Sequence, residues 1–92
     1  MHNGLLIDER DNVLTVIEPV KAGDLVTYHS LVDGVKSIEA RTDIPIYHKI
    51  SIKNVDIDEP LIKYGETIGF AVVSIIAGDH VHTHNIEGRR NC

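Results

Sequence analysis

Apolar and polar positions alternate over short distances along this chain, and turn-forming residues interrupt the alternation before a helical period can develop. Leu5-Leu6-Ile7 and Val13-Leu14-Thr15-Val16-Ile17 flank the polar stretch Asp8-Glu9-Arg10-Asp11-Asn12. That layout predicts a β-hairpin with a loop of about five residues. Pro19 ends the second strand, because it has no N–H to give a central ladder. Lys21-Ala22-Gly23-Asp24 predicts a tight turn in which Gly23 takes a positive φ, followed by a strand over Leu25-Val26-Thr27-Tyr28. Asp33-Gly34 is the strongest short hairpin signal. After Pro45 the chain alternates again, with Ile50 and Ile52 on one face and Lys49, Ser51 and Lys53 on the other. Leu61-Ile62-Lys63-Tyr64-Gly65-Glu66 and Thr67-Ile68-Gly69-Phe70-Ala71-Val72-Val73 complete the run. A short helical turn near residues 30–32 or 54–57 is the most helix that this pattern admits.

One turn–strand unit recurs. Val20-Lys21-Ala22-Gly23-Asp24-Leu25-Val26 and Ile75-Ile76-Ala77-Gly78-Asp79-His80-Val81 share an apolar residue, a variable one, Ala-Gly-Asp, a variable one and Val. Residues 43–50 form a looser copy built around Pro45. Recurrence at irregular spacing predicts a compact all-β fold made of similar corners, not a solenoid. The composition agrees, since Ile, Val and Leu supply the apolar content and aromatics are few.

At 92 residues the chain is expected to form a single domain, 1–92, that buries about 60–65% of its unfolded surface. That is enough for a small core but not for a deep, closed cleft. A formal charge of −5 and no basic stripe argue against nucleic acid as a partner. No apolar run nears the ~20 residues that span a bilayer, and the start shows no signal-peptide pattern, so no membrane partner is expected. The one cysteine, Cys92, has no internal disulfide partner and is too terminal for a nucleophile; a reducing cytoplasm is the expected location.

The candidate chemistry concentrates in Asp79-His80-Val81-His82-Thr83-His84-Asn85. In an extended strand His80, His82 and His84 would share one face. Imidazole is both a common metal ligand and a side chain that changes charge near neutral pH. Neighbours on that face would lie roughly 6.5–7 Å apart, close enough for two rings to meet one ion, whereas His80 and His84 would be about 13 Å apart. We therefore expect His82 and His84 to be the metal pair, with His80 orienting the turn. The competing reading is a solvated, hydrogen-bonding row.

Three ordered motifs carry a resemblance: Asp43-Ile44-Pro45-Ile46-Tyr47-His48-Lys49-Ile50, then Ile62-Lys63-Tyr64-Gly65-Glu66-Thr67-Ile68-Gly69, then Ala77-Gly78-Asp79-His80-Val81-His82-Thr83-His84-Asn85. Together they resemble the N-terminal SAF-type domain of the altronate and galactarate dehydratases. The resemblance implies a β-clip fold and a divalent metal, iron or manganese. It also implies dehydration of a sugar acid by a much larger catalytic region. In some members of the family the small domain is a separate small subunit. A chain running from Met1 to Cys92 is expected to be one, inactive without a large catalytic dehydratase subunit. The small subunit of a sulfolactate sulfo-lyase has a similar layout and is an alternative. A non-catalytic β-clip module that binds carbohydrate or protein is another, and assembly into a homo-oligomer is also open.

On this reading His82, His84 and His48 are the candidate catalytic residues. For His48 the competing role is a satisfied core or turn histidine. Lys63, Tyr64 and Asn85 are candidates for binding the sugar-acid substrate, Lys63 through its carboxylate and Tyr64 through hydroxyls. A charged β-turn capped by Tyr64 is the alternative for the first two, and holding the strand's exit is the alternative for Asn85. Asp43 is expected to cap a turn, and Asp24 and Asp79 to be structural. His2, His29 and the Arg89-Arg90 tail are expected at the surface.

Overall fold

The computed structural model describes residues 2–30 and 32–88, so Cys92 and Arg89-Arg90 lie outside the described residues. Among the described residues nine strands form three small antiparallel sheets. β1 (Gly4–Leu5), β2 (Val13–Val16), β5 (Lys49–Ser51) and β8 (His80–Val81) make the first, in the order β1-β2-β5-β8. β3 (Leu25–Ser30) pairs with β4 (Gly34–Glu39). β6 (Pro60–Lys63), β7 (Glu66–Ala71) and β9 (Ile86–Glu87) make the third. The predicted hairpin at Asp33-Gly34 is present, and β1 pairs with β2 as expected, though across a connection, residues 6–12, longer than the loop of about five. The fold is all-β as expected, and among the described residues neither candidate helical turn forms.

The repeat runs deeper than the sequence suggested, with four corners instead of three. They begin at Val20, Ile44, Val55 and Ile75, all buried, and those residues bridge in pairs, Val20 with Ile44 and Val55 with Ile75. Three residues on, each corner turns through a positive φ: Gly23 at 93°, Tyr47 at 67°, Asp58 at 73° and Gly78 at 99°. The N–H of each of these residues donates to a carbonyl of a neighbouring segment. The acceptors are Ala40, Val16, Ala71 and Ser51, at 2.7–2.8 Å. Six residues into each corner comes a fully buried anchor: Val26, Ile50, Leu61 and Val81. The corner starting at Val55 escapes a sequence search: it has no Ala-Gly-Asp, and its Pro60 falls at a different place from Pro45.

These corners group into two halves. In the first, Val20, Val26, Ile44 and Ile50 pack together with Leu14, Val16 and Tyr28. In the second, Val55, Leu61, Ile75 and Val81 pack with Val13 and Ala71. Each half is thus a corner, a hairpin and a second corner. The β1-β2-β5-β8 sheet stands between the two cores, so both of its faces are covered. This explains why Val13 and Leu14, adjacent in sequence, are both buried. It also corrects the expected position of Ser51, which is fully buried and not solvent-facing: a central strand covered on both sides has no polar face.

Second corners meet at the seam. β5 pairs with β8 through Lys49↔Val81 and Ile50↔His80, a register that an exchange of the two halves leaves unchanged. Gly78 lies just ahead of β8, packed against Glu39 and Arg41 of the first half. A Cβ there would collide with the Glu39 carbonyl oxygen, whereas one at Gly23 would meet open space. Both positions carry the strain of a left-handed L-residue, about 1–2 kcal/mol. Gly78→Ala should therefore lose more stability than Gly23→Ala by at least about 1 kcal/mol, measured by urea unfolding of the two variants.

Candidate functional site

The strand expected to run through His84 stops at Val81, and residues 82–85 curl into a turn. Asn85 locks that curl. Its buried amide donates through Nδ2 to the His80 carbonyl (2.8 Å), and its Oδ1 accepts from the His82 N–H (3.0 Å). The Asn85 N–H closes the turn onto the His82 carbonyl at 3.1 Å. Both ends of the side chain bond the backbone, so it holds the strand's exit and presents the histidines, with the second amide hydrogen unused by these bonds.

The curl and the seam together gather four imidazoles. His48 arrives from the second corner of the first half, and His80, His82 and His84 from the second half. His48 Nδ1 lies 2.9 Å from His80 Nε2. The His48 ring stacks on those of His82 and His80, with centroids 4.4 and 5.1 Å apart. His84 tilts against His80 at 5.3 Å, a distance the straight-strand expectation did not allow.

One ring nitrogen from each of His48, His80 and His82 falls within 4.8 Å of the others. At metal–nitrogen distances near 2.1 Å, two donors about 3.0 Å apart subtend a right angle at the ion. The His48–His80 separation already matches that. His48, His80 and His82 are thus the group whose donors could be drawn onto one ion, while His84 stands outside it. His80, expected to orient the turn, is thus one of the gathered donors. Its partner across the seam, His48, is distant in sequence and only the fold brings it near.

Burial, reinforced by the surrounding imidazoles and Lys49, pushes His80 down from the usual 6.5 to about 4. At neutral pH it is an uncharged base with a lone pair to offer. Between His48 and His80 one nitrogen must carry the shared proton unless a cation takes its place. Beside the cluster opens a cavity of about 630 Å³, whose lining includes His80, His84, Asn85, Thr42 and the Asp43 and Asp79 carboxylates. Asp43 caps the Ala22 N–H (2.9 Å), and Asp79 joins Arg41 (2.9 Å) while accepting from the Ile76 N–H (2.8 Å).

Lys63 and Tyr64 do not join this site. They occupy the β6–β7 turn, where the Lys63 ammonium sits 3.5 Å from the Tyr64 ring centroid. The next residue, Gly65, donates its N–H to Asp11 (2.8 Å), ahead of the first residue of β2. His48 instead adjoins the last residue of β2, its carbonyl accepting the Val16 N–H. Five residues of extended chain separate the two places by roughly 17 Å. Both residues therefore lie in the turn that the alternative reading named, away from the histidines. His29 is exposed as expected, but His2 is half-buried and stacked on it at 6.2 Å.

Comparison with known proteins bears on the same residues. The family model for the altronate/galactarate dehydratase SAF domain matches residues 2–89, and the chain belongs to that family. It is 40% identical over 78 residues to the (2R)-sulfolactate sulfo-lyase subunit alpha of Chromohalobacter salexigens, covering 84% of this chain and 83% of that protein. It is 32% identical over 85 residues to the altronate dehydratase of Bacillus subtilis, covering 92% of this chain but 16% of that enzyme. The altronate dehydratase of Escherichia coli is 35% identical over 75 residues, or 14% of its length. Of these relatives, the Chromohalobacter protein is named as one subunit of its enzyme.

The His80 environment ties stability to pH. An unfolded His80 binds a proton below about 6.5, but the folded one does so only near 4. Stability should be level above pH 6.5 and fall as pH drops from 6.5 towards 4. Urea unfolding across that range should show the slope, and His80→Gln should lose this component. Asn85→Ala removes two hydrogen bonds at a buried position and should cost about 1–3 kcal/mol. It should also disperse the His82 ring resonances in NMR spectra, since the side chain clamps their turn to the His80 carbonyl.

Proposed function

We propose that this chain is the small subunit of a lyase that eliminates water from a sugar acid, forming one wall of an active site completed by a larger subunit. The observation that carries this reading is the cluster of three imidazole donors, shared between the two halves, beside an open cavity in a chain of this family. A cavity of that size suits a small hydroxy acid. Iron or manganese held by His48, His80 and His82 would polarise the substrate's carboxylate or leaving hydroxyl as a Lewis acid. Of the chain's own groups, His84 would carry a proton at the cavity wall. His80, uncharged at neutral pH, would keep its lone pair for binding. Asn85 would hold His80 and His82 in position, and the partner would supply the grip on the rest of the acid.

The reaction would remove the proton α to the carboxylate and expel the β-hydroxyl, leaving an enol that becomes a 2-keto acid. Expulsion of sulfite from a sulfonated hydroxy acid follows the same course. The sulfo-lyase alternative stands beside the dehydratase one because the chain matches most of the length of that subunit alpha.

Co-purification with a large lyase subunit, then assay of 2-keto acid formation from altronate and of sulfite release from sulfolactate, separates the two. The isolated chain should turn over neither substrate; dehydration of altronate by it alone would sink the proposal. Titration with Mn²⁺ or Co²⁺ tests the donor set. His48→Ala, His80→Ala and His82→Ala should each weaken binding at least about ten-fold, and His84→Ala less than about three-fold.

A further inference from the structure

Three of the four corners share a rule at their first and fourth positions after the buried start, and the second breaks it. In those three the fourth residue is a carboxylate that accepts the N–H of the first. Asp24 takes Lys21 (3.0 Å), Glu59 takes Asp56 (2.9 Å) and Asp79 takes Ile76 (2.8 Å). All four corners also close a backbone bond between the same two positions, His48 to Pro45 at 3.0 Å included. In the second corner the first residue is Pro45, which has no N–H. The fourth residue is His48, whose Nδ1 reaches His80 instead.

We infer that Pro45 is a positioning residue for the histidine cluster: by deleting the one donor that its corner would present, it frees position 48 from capping and turns the imidazole across the seam. The atom count supports this. Nδ1 of histidine lies as many bonds from Cα as Oδ of aspartate, so it is the atom that would cap residue 45 if an N–H were there. It is also the atom that faces His80. One nitrogen cannot accept from a backbone N–H and serve the cluster at once. The inference deepens the metal-binding reading above and concerns the same site.

The test uses the full chain, ¹⁵N-labelled, as wild type, Pro45→Ala and Pro45→Ala/His48→Asp. In Pro45→Ala a trans-hydrogen-bond coupling should appear between the backbone amide nitrogen of position 45 and His48 Nδ1. Co²⁺ affinity should fall on the order of five-fold, the worth of one competing hydrogen bond. The double variant should regain a capped corner, melt at or above Pro45→Ala, and bind Co²⁺ no better than His80→Ala. A folded Pro45→Ala with no such coupling and wild-type Co²⁺ affinity would overturn the inference. If the wild type binds no Co²⁺, the metal reading fails, and the coupling still decides the role of Pro45. The same rule is tested away from the histidines in the first corner. There Lys21→Pro should recover most of the melting temperature lost in Asp24→Ala, and failure to recover any would count against it.

Discussion

The pairing of β5 with β8 is the contact on which the rest of the molecule depends. β1, β2 and β5 pair among themselves, and β8 is the strand by which the second half joins their sheet. Ile50 and Val81 are both fully buried, and each belongs to a different core. Lys49↔Val81 and Ile50↔His80 therefore align two hydrophobic clusters as well as two backbones. The same short ladder brings His48 against His80. Packing and chemistry are set together here: with β5 held by β2, a slip of β8 by one residue would turn Val81 out of its core and move His80 away from His48.

Corner geometry explains how so small a chain sustains nine short strands among its described residues. Left-handed backbone is costly for ordinary residues, yet Tyr47 and Asp58 adopt it. They do so because the N–H at that position meets a carbonyl of the adjoining segment in every corner, and the buried anchor six residues into the corner draws the chain onward. Glycine serves at Gly23 and Gly78, but only at Gly78 is the space itself needed.

Much of this could be read in the sequence, and the rest for identifiable reasons could not. Ala-Gly-Asp marks two corners directly, and Asp33-Gly34 and the residue 8–12 loop mark their hairpins. The Val55 corner is invisible to composition because its conformation is enforced by hydrogen bonds and not by residue type. Alternation correctly put Ile50 inside but failed for Ser51, since period-two reasoning assumes one wet face and this strand has none. The histidine row was legible as a concentration of imidazoles. Its shape was not, because the regular strand that separates His80 from His84 gives way to a turn clamped by Asn85, and because His48 enters from the other half. Lys63-Tyr64 looked like a binding pair through its motif. Its distance from the histidines is a matter of which end of β2 each adjoins, and local sequence says nothing about that.

The seam also sets up a thermodynamic linkage. His48 belongs to one half, and His80 and His82 to the other. A ligand gripped by imidazoles from both is held only while the halves remain docked. Its binding free energy is then added in full to the work of separating them, about 1.4 kcal/mol for each decade of free ligand above its dissociation constant. Occupancy of the histidine cluster and integrity of the central sheet become two readings of one equilibrium.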